Sequence, residues 1–181
     1  MKNLAIRTLE SRDVAPISEA FREVGWKNKP RSQYEHYLLE QQEGIRTVLI
    51  AFVAGDFAGY VTGNWNPTYP PFRTGGIPEI QDFNVLPRFR RQGIGTSLMD
   101  EAEGKVSERS RVAGIGVGMP PDYGAAQRLY VLRCYVPDGK GLARDGLPVR
   151  QGDEIIVNDG LVLYLTKTLT ETPSPERSPY L

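Results

Sequence analysis

Residues 84–102, NVLPRFRRQGIGTSLMDEA, constrain this chain more than any other stretch. A β-rich run stops at Pro87, the arginines Arg88, Arg90 and Arg91 follow, and Gly93 and Gly95 open a segment with apolar residues at helical spacing. A strand must therefore turn within a few residues into an amphipathic helix. The glycines can serve simply to finish that turn. Alternatively the turn holds a phosphate, because the first N–H groups of a helix lack intrahelical partners and sit at the positive end of its dipole. Glycine at 93 and 95 removes side chains that would keep an anion from the backbone, Arg90 and Arg91 add charge, and Thr96 adds a hydroxyl. The stretch lacks the Gly-Lys-Ser/Thr ending of a nucleotide P-loop, and its glycines do not fit the dinucleotide fingerprint.

The rest of the pattern supplies a sheet for that helix to pack on. NLAIRTLE alternates as a strand, and Ser11 or Asp13 can cap a helix carrying Val14, Ile17, Phe21 and Val24 on one face. A second helix is expected over roughly 32–42. TVLIAFVAG and FAGYVTGNW flank Gly55-Asp56 as a hairpin, and IPEIQDFNVLP is a further strand. The helix from about 91 to 107 should bury Ile94, Leu98, Met99, Ala102 and Val106. RVAGIGVGMP reads as a strand, GAAQRLYVLRCY as a helix, and DEIIVNDGLVLYLTKTL as a strand pair around Asn158-Asp159-Gly160. The order β, αα, βββ, α, β, α, ββ predicts an α/β (α+β) fold with a mixed, mostly antiparallel sheet flanked by helices. Its hairpins are antiparallel, and its strand–helix–strand crossover is parallel and right-handed.

At 181 residues the chain is long enough for one domain, placed here at 1–170, with a loose Pro-rich tail over 171–181. Lysine plus arginine and aspartate plus glutamate both number 22, so no net field draws nucleic acid or an anionic membrane. No segment reaches the roughly 20 apolar residues of a spanning helix. The single cysteine, Cys134, excludes a disulfide framework and thiolate-rich zinc sites, so no metal is expected and a cytoplasmic location fits.

RRQGIG, preceded by IQDFNVLP, resembles the Arg/Gln-x-x-Gly-x-Gly/Ala signature of the GCN5-related N-acetyltransferases (GNAT), and the order of elements over about residues 3–169 is similar to that fold. The resemblance implies acetyl-CoA as co-substrate. Its diphosphate would lie on the backbone of Arg91, Gln92, Gly93, Ile94, Gly95 and Thr96, with Arg90 nearby. The pantetheine arm would enter a gap where the preceding strand splays from its neighbour. Backbone groups of Phe83 and Val85 would bond that arm, with the Val85 N–H near the thioester carbonyl.

An ammonium acceptor has a pKa near 10.4 and must lose a proton before its nitrogen can attack. Glu79 and Asp82 lie on the strand three residues apart, so alternation sends them to opposite faces unless a bulge intervenes. Family members with a glutamate base on this strand carry it six residues before the position of Val85, which makes Glu79 the first candidate base and Asp82 the second. Tyr130, with Ala126 and Leu129, matches the family's Asn-x-x-Ala-x-x-Leu-Tyr pattern and is the candidate general acid, whereas Tyr123 replaces the asparagine. Both carboxylates have the plain alternative of being ordinary solvated or paired groups. Tyr130 has that of a packed core aromatic.

Cys134 is expected to be a buried, inert thiol. His36 belongs to a helix that helps wall the acceptor site in the family, with simple surface placement as its default. Trp65, Tyr69 and Phe72 either line the acceptor mouth or pin a long connection. Arg88, like Arg90, is a candidate contact for the adenosine phosphate. Residues 137–154 form a long loop that covers the acceptor or meets another subunit, a homodimer being one outcome. The leading reading is acetyl transfer to a primary amine of a small molecule or peptide by direct attack in a ternary complex. The alternatives are a non-catalytic coenzyme A-binding module and a longer acyl donor.

Overall fold

The structure, a computed structural model, describes residues 3–169; the tail expected over 171–181 lies outside the described residues. The chain runs β1 (Leu4–Thr8), a 3-10 turn (Ser11–Asp13), α1 (Val14–Glu23), α2 (Arg31–Gln42), β2 (Arg46–Val53), β3 (Asp56–Asn64), α3 (Pro70–Gly75) and β4 (Glu79–Val85). It continues with α4 (Ile94–Ser107), β5 (Val112–Gly118), α5 (Gly124–Leu132), β6 (Val136–Arg144), β7 (Leu147–Pro148) and β8 (Leu161–Thr168). The strands form one mixed sheet in the order β1-β2-β3-β4-β5-β8-β6-β7. The β4–β5 pair is parallel and the others are antiparallel.

Alternation along the strands builds two cores, one on each side of the sheet. Leu49 and Ala51 of β2 face α4, joining Ile94, Leu98, Met99, Ala102 and Val106. Val48 and Ile50, from the same strand, face Val14, Ile17 and Phe21 of α1 and Tyr34 of α2. The apolar spacing in the sequence thus identified the buried apolar residues of α4, though not Glu103, which is buried among its ion pairs with Arg133 and Lys167. On α1 the expected Val24 falls at the C-cap and is exposed.

The sheet opens between its halves. β4 and β5 pair only at Glu79↔Gly114 and Ile80↔Ile115. Beyond that point β5 stays with β8 as far as Gly118↔Val162, while β4 stays with β3. On β4 the register jumps from Thr62↔Gln81 to Tyr60↔Asn84, so Asp82 and Phe83 together oppose one residue. Asp82 has φ +49°. This is a β-bulge, which bends its strand and raises the local twist.

Several expectations are corrected. The hairpin turn is Ala54-Gly55, one residue earlier than expected, and both residues have positive φ as a two-residue primed turn needs. Neither Ser11 nor Asp13 caps α1; Asp13 instead accepts the Glu10 N–H and a paired contact from Arg7. The helix expected from about 91 starts at Ile94. The long loop of 137–154 is largely strand, because β6 pairs with β8 on both sides of an irregularity where Gly139 and Gly141 take positive φ. DEIIV forms no strand, so β8 takes β6 and β5 as partners instead of a hairpin mate at 158–160. The sequence hides this exchange because the glycines of PDGKG look like loop residues.

Candidate active site

The turn after β4 presents a bare helix start. Pro87–Phe89 make a 3-10 turn, Arg91 and Gly93 take φ values of +57° and +78°, and no side chain caps α4. The first intrahelical bond at this end runs from the Ser97 N–H to the Gly93 carbonyl. The N–H groups of Ile94, Gly95 and Thr96 thus precede the helix's own acceptors. Gly93 is required by its left-handed backbone. Gly95 is required by space, since a Cβ there would lie 2.9 Å from the Phe83 ring.

A cleft of about 1230 Å³ fills the opening between β4 and β5. Glu79, Asp82, Phe83, Val85, Arg90, Arg91, Gly95 and Tyr130 all line it. Gln92, Gly93, Ile94 and Thr96 are not on its wall. Ile94 is buried in the core, and the Gln92 side chain donates back to the Arg88 carbonyl at 2.9 Å. Their side chains have no part in the cleft, so any role there falls to the backbone. The Val85 carbonyl accepts from Arg90 Nε at 3.1 Å, which ties that arginine to the strand edge.

Glu79 is 5 % exposed, and its Oε2 has no hydrogen-bond partner. Burial pushes its pKa up to about 7, opposed by the Gln81 side chain and the charge of Arg46. Facing it across the gap is β5, where a Cβ on Gly116 would sit 3.4 Å from Oε1. Burial thus brings the proton exchange of this carboxyl toward neutral pH, with one oxygen uncommitted.

Asp82 is a different kind of acid. The bulge brings it to the same cleft as Glu79, so strict alternation fails here. Its Oδ1 pairs with Lys29 Nζ and accepts from Asn84 Nδ2 at 2.8 Å. Its Oδ2 accepts from Gln33 Nε2 at 2.7 Å, from the Tyr37 hydroxyl at 3.0 Å and from the Tyr60 hydroxyl. With five donors converging, it anchors the bulge to α2 and to the turn before it.

Tyr130 is 5 % exposed, and desolvation holds its hydroxyl well above the ordinary phenol range, so it stays protonated. Tyr123 packs on Gly118 of β5, where a Cβ would come within 2.6 Å of its ring, and its hydroxyl donates to Asp159 at 3.2 Å. The asparagine position of the family pattern is thus filled by an aromatic that clasps the residues before β8.

The remaining expectations divide. Tyr69 and Phe72 are buried against Tyr164, the two tyrosine rings stacked at 3.6 Å, which is the packing alternative. Trp65 packs on the α4 core and donates to Thr47 at 3.2 Å. His36 is largely exposed and lies beside Glu40. Arg88 faces solvent. Cys134 is exposed, not buried, because it takes a left-handed conformation at the end of α5. Sequence reading missed Lys29, Gln81, Arg46 and Tyr164. Only Gln81 had a local signal, two residues from Glu79 and thus on the same strand face. Among the described residues no cluster of histidine, cysteine or acidic side chains suits a metal, and no helix is long and apolar enough to cross a membrane.

The residues present suit a diphosphate followed by an extended arm. They offer a bare helix start with two adjacent arginines, a glycine where a Cβ would fill the space, and a strand edge that leaves its neighbour. Known proteins resemble this chain in sequence and in fold. The family model described as "Acetyltransferase (GNAT) family" matches residues 12–134. A protein of Archaeoglobus fulgidus described as an uncharacterized N-acetyltransferase is 33% identical over 95 residues, covering 51% of this chain and 60% of that protein. The chain therefore matches less than two thirds of that relative's length. Two solved structures share the fold. YncA of Salmonella typhimurium, solved with its cofactor acetyl-CoA, has a TM-score of 0.66 and 18% identity, covering 97% of this chain and 99% of its own. Ribosomal-protein-alanine N-acetyltransferase of Brucella melitensis has a TM-score of 0.67 and 18% identity, covering 91% and 99%.

Proposed function

Because this chain belongs to the GNAT family of acetyltransferases, we propose that it transfers the acetyl group of acetyl-CoA to a primary amine of a small molecule or peptide, by direct attack in a ternary complex. The diphosphate is held by the backbone N–H groups at the start of α4, from Arg91 to Thr96, with Arg90 and Arg91 adding charge. The pantetheine arm runs along β4 past Phe83 and Val85, where β5 no longer pairs. There the edge offers backbone groups to an extended ligand in the manner of an added strand.

The observation that carries this reading is the Glu79 carboxyl, buried in the opening of the sheet with one oxygen unpartnered. As general base it takes the ammonium proton, directly or through a water. The freed amine attacks the thioester carbonyl to form the new C–N bond; as the C–S bond breaks and the thiolate leaves, the nitrogen gives up its second proton, which restores the one that Tyr130 passes to the thiolate. Tyr130, kept protonated by its surroundings, donates the proton that the thiolate needs. Asp82, though second as a candidate base, has its lone pairs committed to five donors and serves to hold the bulge. A non-catalytic coenzyme A module gains no support from Glu79, because a binding module has no use for an unpaired buried carboxyl.

Steady-state kinetics with a panel of amines test the proposal. Coenzyme A release above background is expected with at least one acceptor, and kcat/KM should rise with pH through about 7 as Glu79 ionises. Glu79→Gln should abolish that limb and lower kcat/KM by about 10²–10⁴-fold. Acetyl-CoA binding without turnover of any amine would overturn the reading, and an unchanged pH profile in Glu79→Gln would remove Glu79 from the mechanism.

A further inference from the structure

A chain of buried and half-buried polar side chains leads to Gln81, two residues from Glu79 on β4. It begins at Glu40, the acceptor for Arg46 Nε, which lies within 2.5 Å. Arg46 is 7 % exposed and lies against the Tyr37 ring, its guanidinium 4.4 Å from the ring centre. Its Nη1 donates to Thr62 Oγ1 at 2.8 Å and to Gln81 Oε1 at 3.2 Å. A second donor reaches the same oxygen, Asn64 Nδ2 at 3.3 Å. Two donors on one oxygen fix which way the Gln81 amide points, because flipping it would set N–H groups against N–H groups. The amide nitrogen is then left for Glu79, two residues back on the same face of β4.

From this arrangement, resting on the reading of Glu79 as base, we infer that Gln81 is a positioning residue: clamped by Arg46 and Asn64, its amide steers the Glu79 carboxyl so that the unpartnered Oε2 is presented to the amine. Burial alone would raise the carboxyl's pKa further, and Gln81 and Arg46 are the groups that oppose it. The titratable and charged groups acting on Glu79 from neighbouring strands are Arg46 on β2 and Tyr164 on β8. β3 contributes the neutral Thr62 and Asn64 to the clamp, and β5 faces the carboxyl with Gly116. An arginine in direct contact would pin Glu79 as a permanent anion and a poor base. Placing a neutral amide between them passes on part of the charge and leaves the carboxyl able to cycle.

The test is the pH profile of Gln81→Met, which keeps the volume and removes the amide. Its kcat is expected to fall about tenfold or more with KM for acetyl-CoA little changed. The acid limb should move upward by about half a pH unit or more, consistent with a hydrogen bond to a charged group. In a Glu79→Gln background the same substitution should have no further effect on kcat, since the two residues act as one unit. If Glu79→Gln removes the limb but Gln81→Met leaves limb and kcat in place, this inference fails and the base assignment stands. A limb that survives Glu79→Gln overturns both. Should Gln81→Met not fold, Gln81→Asn replaces it: the amide is retained but shortened, the same upward shift is expected, and an unmoved limb overturns the inference.

Discussion

At the scale of single residues, the two acids on β4 illustrate how environment separates identical chemistry. Glu79 is buried with little compensation, whereas Asp82 is half-buried with a cation and four neutral donors. Replacing them should have opposite effects on stability. For Glu79 the folded pKa of about 7 exceeds the ordinary 4.5, so the native state holds the proton more tightly than the unfolded chain between those values. Stability contributed by this group is therefore greatest at acid pH and is lost as pH rises from about 4.5 to about 7, by on the order of 3 kcal/mol. Glu79→Gln is expected to raise Tm at pH 8 and to leave it nearly unchanged near pH 5, as scanning calorimetry would record. Asp82→Ala should lower stability by about 1–3 kcal/mol, because it leaves the half-buried Lys29 ammonium without its carboxylate and unties the bulge. A Tm unaffected by Asp82→Ala would contradict the anchoring role. The identity of both acids was legible in the sequence, but their separation was not. Lys29, Gln33, Tyr37 and Tyr60 reach Asp82 from 22 to 53 residues away along the chain, and no local pattern encodes such a meeting.

At the scale of elements, the passage from β4 to α4 was legible apart from a helix start three residues later than expected, because the requirements on it are local: Pro87 stops the strand, Gly93 supplies positive φ and Gly95 supplies space. The same stretch yields the sharpest element-level prediction. Gly95→Leu puts a side chain where even a Cβ meets the Phe83 ring, and it should weaken acetyl-CoA binding at least tenfold, about 1.4 kcal/mol, with helical content preserved. Undiminished affinity by calorimetry would mean that this turn is not where the diphosphate lies. Reading failed for the last strands, where propensity and pairing disagree. PDGKG resembles a loop yet lies within β6, and DEIIV resembles a strand yet pairs with nothing in the sheet. Tertiary pairing overrode local preference there.

At the scale of the whole molecule, the site exists because an eight-stranded sheet fails to stay closed at one seam. The two halves are held apart by different means. On one side the bulge at Asp82 and Phe83 is tied down by α2, and on the other Gly114 and Gly118 leave room for Phe72 and Tyr123 against β5. The parallel crossover was foreseeable from the order of elements and the splay of β4 at a bulge from the family resemblance, whereas the place of the bulge at Asp82 and Phe83 is announced by no residue pattern. In the proposed complex acetyl-CoA occupies this seam, its diphosphate on the start of α4 and its arm on the free edge of β4. Hydrogen–deuterium exchange with and without saturating acetyl-CoA tests it most directly. The predicted result is slowed exchange at the amides of residues 83–85 and 94–96, with the far edge of the sheet at β1 unchanged. Binding that leaves those amides exchanging as before, or protects a different surface, would contradict the account.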